Sequence, residues 1–121
     1  MKNTLLILAF VALAPVRADA PGKRLFIDPA TRWISIHDQT GTGAKAEFTT
    51  DILKACPSMV QVVDSREMAD FTVLIDRTGS SAGSVLISSG GVVVDSFKPG
   101  HTATLRKVAD TVCEFIGSAK L

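Results

Sequence analysis

Residues 60–76 read Val-Gln-Val-Val-Asp-Ser-Arg-Glu-Met-Ala-Asp-Phe-Thr-Val-Leu-Ile-Asp, and this stretch decides the fold. Val60–Val63 and Phe71–Ile75 are short runs rich in residues that favour strands. One polar segment, Asp64 to Asp70, lies between them. Asp64 stands three residues before Glu67, as in a capping box, so we expect Asp64 to cap a single helical turn. The stretch predicts two strands joined by a short polar connection.

The segment before this stretch predicts an amphipathic helix over residues 44–56, ended by Pro57. Its apolar residues, at the spacing of one helical face, are Phe48, Ile52, Ala55 and Cys56. Upstream, Leu25–Asp28 predicts a short strand that a proline stops, and the alternation in Trp33–His37 predicts a second. One of these strands can cross over the helix and pair in parallel with Val60–Val63.

The segment after the stretch predicts a hairpin and a last helix. Val85–Ile87 and Val92–Val94 flank Ser88–Gly91, which has the composition of a hairpin turn. Pro99-Gly100 then breaks the chain before a helix at about 102–119. Its apolar stripe is Leu105, Val108, Val112, Phe115 and Ile116.

This order of elements predicts an α+β fold, a two-layer α/β sandwich. We expect a mixed sheet of about five to six strands, with the two main helices on one face and the last three strands in an antiparallel meander. A doubly wound fold would need more helices than this chain supplies.

The first twenty residues have the pattern of a cleaved secretory signal. Lys2 is followed by the apolar run Leu5–Ala14, and small residues stand at positions 18 and 20. The apolar run is too short to span a bilayer. We therefore expect a periplasmic or secreted protein whose single small domain is residues 21–121, with no integral membrane segment after cleavage.

The charge of that domain argues against two classes of partner. The whole chain carries 13 basic and 12 acidic side chains. Residues 1–20 contain two of the basic ones and one of the acidic ones, so the remainder balances at 11 of each. A neutral surface provides no broad attraction to nucleic acid or anionic lipid.

Cys56 and Cys113 are the two cysteines, and an even count in an exported chain predicts a disulfide. If both predicted helices lie on one face of the sheet, their ends can meet. The alternative is two buried free thiols. Two Cys and two His without ligand spacing predict no metal site.

Gly41-Thr42-Gly43-Ala44-Lys45-Ala46 has the G-x-G-x-x-A pattern of a dinucleotide site, with Asp64 about twenty residues on. Three residues separate the preceding strand from Gly41, where the fingerprint wants a tight turn, and the chain is too small for both halves of such a fold. Anion binding by Gly41, Gly43 and Lys45 at the helix N-terminus is a weaker variant. The other interpretation is a loop that starts a helix, with no cofactor.

Gly79–Gly83 matches G-x-S-x-G, and Asp95 and His101 follow Ser81 in the order of α/β-hydrolases. That motif requires a sharp turn from strand into helix, but the residues after Gly83 predict a strand. The alternatives are a small serine hydrolase using Ser81, Asp95 and His101, and a mobile hairpin loop.

Other polar residues lie at the strand boundaries. Because successive antiparallel strands point in opposite directions, we expect capping and turn roles for these acids instead of one convergent site. They are Asp28, Asp64, Asp70, Asp76 and Asp95. For Trp33, a packing role and a ligand-anchoring role both stay open.

Several short motifs together resemble a family of small, uncharacterised bacterial exported α/β proteins. They are Phe26-Ile27-Asp28 followed by Trp33, Cys56-Pro57, Val62-Val63-Asp64, Glu67–Phe71, and Asp110 with Cys113-Glu114. The resemblance implies an exported domain with Cys56 paired to Cys113, and it implies no activity, cofactor or catalytic residue. More loosely, the chain looks like small domains of envelope-assembly proteins.

With no coherent catalytic set, neutral charge and small size, the sequence favours a non-enzymatic module that binds or stabilises an envelope protein. An exposed sheet edge or an uncovered sheet face would supply the contact surface.

Overall fold

The computed structural model describes residues 22–35, 39–78 and 82–119, in which residues 60–76 form two strands as predicted. The strands are β1 (Lys23–Ile27), β2 (Arg32–Trp33), β3 (Val60–Val63), β4 (Phe71–Arg77), β5 (Ser84–Ser89) and β6 (Val92–Phe97), and the helices are α1 (Ala44–Ala55) and α2 (Leu105–Ser118). The α+β fold with a mixed sheet of six strands and two helices is confirmed.

The sheet order is β3-β1-β4-β5-β6, with β2 paired to β4. β1 pairs in parallel with both β3 and β4, and β4, β5 and β6 form an antiparallel meander. The expected parallel crossover and meander are therefore both present. Since β1 lies between β3 and β4, the connection from β3 to β4 must cross β1.

That crossing segment contains a 3₁₀ turn, Arg66–Met68, which contacts β1. Asp70 then attaches the segment to β1: its backbone N–H donates to the Arg24 carbonyl oxygen at 2.8 Å. The Arg24 N–H donates to the Asp70 carboxylate, also at 2.8 Å, and the two side chains form an ion pair at 3.3 Å. The predicted polar connection thus becomes a strap across the central strand.

The prediction that Asp64 caps this turn is wrong. Ser65 is the N-cap residue of the 3₁₀ turn, and no side chain caps it. The Ser65 hydroxyl donates instead to the Glu67 carboxylate at 2.8 Å. A turn of only three residues leaves no place for a box that spans the first turn of an α-helix.

β1 and β2 are two pieces of one interrupted strand along the same side of β4. Ile27 is opposite Val73, and Arg32 is opposite Asp76. At the break, the Thr31 hydroxyl accepts the hydrogen bond of the buried Ile75 N–H at 3.3 Å. The strand predicted at 33–37 is shorter than expected: β2 ends at Trp33, and residues 36 and 37 lie outside the described part of the chain.

The core lies between the sheet and the two helices, and its helical contribution follows the predicted stripes. α1 buries Ala44, Phe48 and Ile52, and α2 buries Leu105, Val108, Ala109, Val112, Cys113 and Ile116. The strands contribute Leu25, Ile27, Phe71, Val73, Ile75, Val85 and Ile87. α2 begins later than predicted, since Thr104 caps it by accepting a hydrogen bond from the Lys107 N–H at 3.2 Å.

The disulfide between Cys56 and Cys113 is confirmed, with a Cα–Cα distance of 6.1 Å. Cys56 is the residue that ends α1, and Cys113 lies within α2, so the bond joins the two helices on the same face of the sheet. Among the described residues, no helix combines the length and apolarity needed to cross a membrane.

Replacing Thr31 with Val should lower the free energy of unfolding by about 1–3 kcal/mol, because the buried Ile75 N–H loses its acceptor. Thr31→Ser keeps the oxygen and should lose less. Thr111→Val is the matched control, since Thr111 is exposed and donates to a helical carbonyl. Urea unfolding compares the three variants, and equal losses for Thr31→Val and Thr111→Val would contradict this role of Thr31.

Reduction should destabilise the protein by about 4 kcal/mol, because the disulfide closes a loop with a sequence separation of 57 in the unfolded chain. Guanidinium unfolding with and without reductant measures the difference. A double variant, Cys56→Ala with Cys113→Ala, should show no response to reductant. Alkylation of both thiols in the untreated folded protein would contradict the pairing.

Candidate binding surface

The glycine loop before α1 is explained by close packing. Gly41 is buried and has a φ of 73°, a conformation that favours glycine. A Cβ on Gly41 would lie 3.1 Å from Cγ1 of Ile34 and 3.2 Å from the Trp33 nitrogen. Gly43 is the N-cap residue of α1. Close packing against Trp33 and Ile34 therefore accounts for Gly41. Anion or dinucleotide binding by Gly41, Gly43, Lys45 and Asp64 stays a prediction.

Two cationic side chains, Lys45 of α1 and Arg66 of the strap, contact the Phe26 ring. The Lys45 Nζ lies 5.5 Å from the Phe26 ring centroid, and the Arg66 guanidinium lies 5.0 Å from the same centroid. Arg66 also pairs with Asp28 at 3.2 Å. These contacts hold the strap against β1 and give Lys45 and Arg66 structural partners.

The strand-boundary acids do not all lie together, although Asp28 and Asp64 share one end of the sheet. As in the predicted crossover, β1 and β3 are parallel, so Asp28 and Asp64 follow them at the same end of these strands. Asp70 precedes β4 and lies at the other end of β1. Within the described ranges, no group of three or more His, Cys, Asp or Glu side chains could hold a metal ion.

Of the three residues of the hydrolase alternative, two lie in the described part of the chain. Ser81 lies outside the described residues, Asp95 is in β6, and His101 is in the loop before α2. The segment that begins at Ser84 is strand β5, so the chain does not turn from a strand directly into a helix there. The Ser81 alternative stays a prediction.

Trp33 is buried and packs against Arg77. The Arg77 guanidinium carbon lies 4.7 Å from the Trp33 ring centroid. Arg77 also donates to the carbonyl oxygens of Ala103, at 2.9 Å, and His101. This clamp ties β2 and β4 to the loop before α2. The sequence carried no signal for it, because Arg77 reads as an ordinary polar residue at a strand end.

Three strands of the described sheet, β2, β3 and β6, pair with one neighbour only, and β2 has just two residues. β3 has four residues and buries Val60. β6 has six residues and begins with Val92, Val93 and Val94, which are 63%, 53% and 46% exposed. Edge strands are usually blunted by charge, proline or short length, so this apolar run on the longer edge is unusual.

A bulge interrupts the pairing of β6 with β5. Val93 is opposite Ser88 and Asp95 is opposite Ile87, which leaves Val94 as the extra residue. The tight turn before β6 has Gly90 and Gly91 at φ values of 60° and 83°, as a two-residue hairpin requires. Asp95 is the single charged residue of β6.

A groove of about 190 Å³ opens beside the carboxyl end of β6. Its lining residues are Phe97, Lys98, Pro99, Ala103, Lys107, Val108 and Thr111. A larger, shallow groove of about 600 Å³ runs over the disulfide between α1 and α2, and a polar groove of about 410 Å³ lies between the strap and the β5–β6 turn. The first groove adjoins the carboxyl end of β6, and the polar groove, which Gly90 and Gly91 line, adjoins its amino end.

The polar groove contains the two carboxyl groups whose pKa values are shifted. Burial alone would raise the pKa of Asp70, but hydrogen bonds and charge from Arg24 hold it below its ordinary value. The hydrogen bond from Ser65 lowers the pKa of Glu67, with a backbone hydrogen bond and Arg66 assisting. Both carboxyl groups are therefore ionised at neutral pH, and the ionised Asp70 accepts the hydrogen bonds from Arg24 that fasten the strap.

Replacing Asp70 with Ala should lower the free energy of unfolding by about 1–3 kcal/mol at neutral pH, since a charged acceptor of two hydrogen bonds is lost. The control Asp110→Ala removes an exposed i,i+4 pair and should cost at most about 0.5 kcal/mol. Urea unfolding at several pH values measures both variants.

The Asp70 contribution should also depend on pH in one direction. Its pKa is lower in the folded than in the unfolded protein, so its stabilisation is present above the unfolded value, about 4, and is lost as pH falls through the lower folded value. The difference between wild type and Asp70→Ala should therefore shrink below about pH 4. If the stability difference between wild type and Asp70→Ala were constant down to pH 2, the role of the ionised Asp70 in the Arg24–Asp70 contact would be contradicted.

These observations define the β6 surface as strand β6, Val92–Phe97, together with the groove beside its carboxyl end. It combines an exposed apolar edge with a small concavity that contains two lysines. Sequence reasoning foresaw an exposed edge but could not say which strand would form it. Comparisons with known protein families, with curated proteins and with solved structures found no match.

Proposed function

We propose that this protein is a non-enzymatic binding module of the cell envelope, exported to the periplasm or beyond, that holds a partner protein through the free edge of β6. The observation that carries the proposal is the run Val92–Val94, three consecutive exposed valines on an edge strand. The partner contributes an extended segment that adds a strand to the sheet.

Two physical terms favour strand addition at this edge. An edge strand presents backbone N–H and C=O groups in a row, and an added strand satisfies them with main-chain hydrogen bonds. The valine side chains are then removed from water, which stabilises the complex in proportion to the apolar area buried. Of the two edges, β3 is shorter and offers the exposed polar Gln61 at its second position.

Export is supported by two features of the chain. The first twenty residues have the order of a secretory signal: a positive charge, an apolar core and small residues. The Cys56–Cys113 disulfide belongs to an oxidising compartment, because cytosolic thiols are kept reduced. In such a compartment, a domain of this size gains stability from a disulfide that a small core alone would not provide.

A photo-crosslinking experiment tests the proposal. Benzoylphenylalanine placed at Val93 should form discrete adducts with an envelope protein in intact cells. The same probe at Gln61, on the opposite edge, should give at least tenfold less adduct, because β3 is not the proposed contact. Mass spectrometry of the adducts identifies the partner segment.

A charge on the edge should abolish that contact. Val93→Lys should reduce adduct formation from a probe at Ser96 at least tenfold, since a charged side chain opposes burial at a strand edge. Gln61→Lys is the matched control and should leave the yield unchanged. Thermal unfolding of both variants should stay close to wild type, because both side chains are exposed. Equal adduct yields from both edges, or none at Val93, would overturn the proposal.

A further inference from the structure

The groove at the carboxyl end of β6 has the size of a side-chain pocket. Its volume of about 190 Å³ lies below the roughly 300–1,000 Å³ of small-molecule sites, so it suits one or two side chains. Phe97 and Val108 provide apolar surface, with Pro99 and Ala103 in the loop between them. Because Phe97, the last residue of β6, lines the groove, an extended chain paired along β6 would reach it.

The groove is held in shape before any partner arrives. Arg77 fixes the loop through the carbonyl oxygens of His101 and Ala103. The Gly100 N–H donates to the Ala82 carbonyl oxygen at 2.9 Å, and Thr104 caps α2. A preformed pocket binds with less loss of conformational entropy than a mobile one.

The positive charge of the groove favours a partner segment that carries a negative charge. Lys98 and Lys107 both line it, and both are exposed. In the described residues, the ion pairs are made by Arg24, Arg66 and Arg106, and neither groove lysine takes part in one. Two ammonium groups beside a small apolar pocket are complementary to a carboxylate that follows or precedes an apolar side chain.

The position of Asp95 indicates at which end of β6 an acidic residue of the partner would bind. It is opposite Ile87, as Phe97 is opposite Val85, so Asp95 and Phe97 lie on the same side of β6. Its negative charge precedes the groove and disfavours a partner carboxylate there. The acidic position of the partner therefore belongs at the carboxyl end of β6, beside Lys98 and Lys107.

A second copy of this chain does not supply that acid. Two β6 strands paired along their full length in antiparallel register would bring Gly91 and Val92 of one copy opposite Phe97 and Lys98 of the other. Gly91 and Val92 carry no carboxylate, so in this register neither residue could form an ion pair with Lys98 or Lys107. The charge pattern favours a different chain.

We infer that the β6 surface recognises an extended peptide segment with β-branched residues along Val92–Val94 and an apolar residue next to an Asp or Glu at the groove. This inference rests on the proposed function and specifies the partner segment. Main-chain pairing with β6 provides the general affinity, and the groove provides the sequence preference.

Selection from a random heptapeptide library displayed on phage tests the inference. The folded domain should enrich peptides that alternate β-branched residues and carry an Asp or Glu beside an apolar residue. In fluorescence anisotropy, Lys98→Glu with Lys107→Glu should weaken binding of an enriched peptide at least tenfold. The control double variant, Lys54→Glu with Arg106→Glu, makes the same change in charge outside the groove and should stay within twofold.

The outcomes separate the inference from the proposed function. If Val93→Lys abolishes binding but the lysine variant matches its control, the edge binds peptides without charge preference, and the inference fails alone. If no peptide is enriched over Val93→Lys protein, both fail. A dimer of the free domain in light scattering that Val93→Lys dissociates would identify a second copy as the occupant and would overturn the inference.

Discussion

Parallel pairing of β1 with β3 on one side and β4 on the other organises the topology of this sheet. Because β3 and β4 lie on opposite sides of β1, the chain between them has to cross it, and residues 64–70 make that crossing. The Arg24–Asp70 bonds and the Phe26 contacts fasten that crossing. The two helices share one face of the sheet, where the disulfide joins them.

The same constraint determines where the proposed binding surface lies. With β1 and β4 in the interior, the meander of β4, β5 and β6 extends in one direction only, and β6 becomes a free edge of the described sheet. Val92–Val94 is apolar, as expected for a strand that packs on neighbours, yet among the described strands only β5 pairs with it. The mismatch between a strand-like sequence and a position with one open side is what makes β6 a candidate for strand addition.

Local patterns predicted most of the elements, and tertiary contacts account for the errors. The stripe of α1, the stripe of α2 and the Gly90-Gly91 turn are properties of short segments, so the sequence indicates them directly. Strand order depends on contacts between distant residues, which one sequence does not reveal. The break between β1 and β2 likewise requires Thr31 to meet Ile75, and nothing around Thr31 indicates that partner.

The groove beside β6 could not be predicted for a related reason, and the contacts that build it explain why it is rigid. α2 is held near its middle by the bond from Cys113 to α1, and the loop before it is held by Arg77 stacked on Trp33. The disulfide fixes α2, and Arg77 fixes the loop before it. Together these two contacts restrict the movement of Lys107 and Val108 relative to β6. The contact between Trp33 and Arg77 therefore helps to position the groove of the proposed surface, although neither residue lines it.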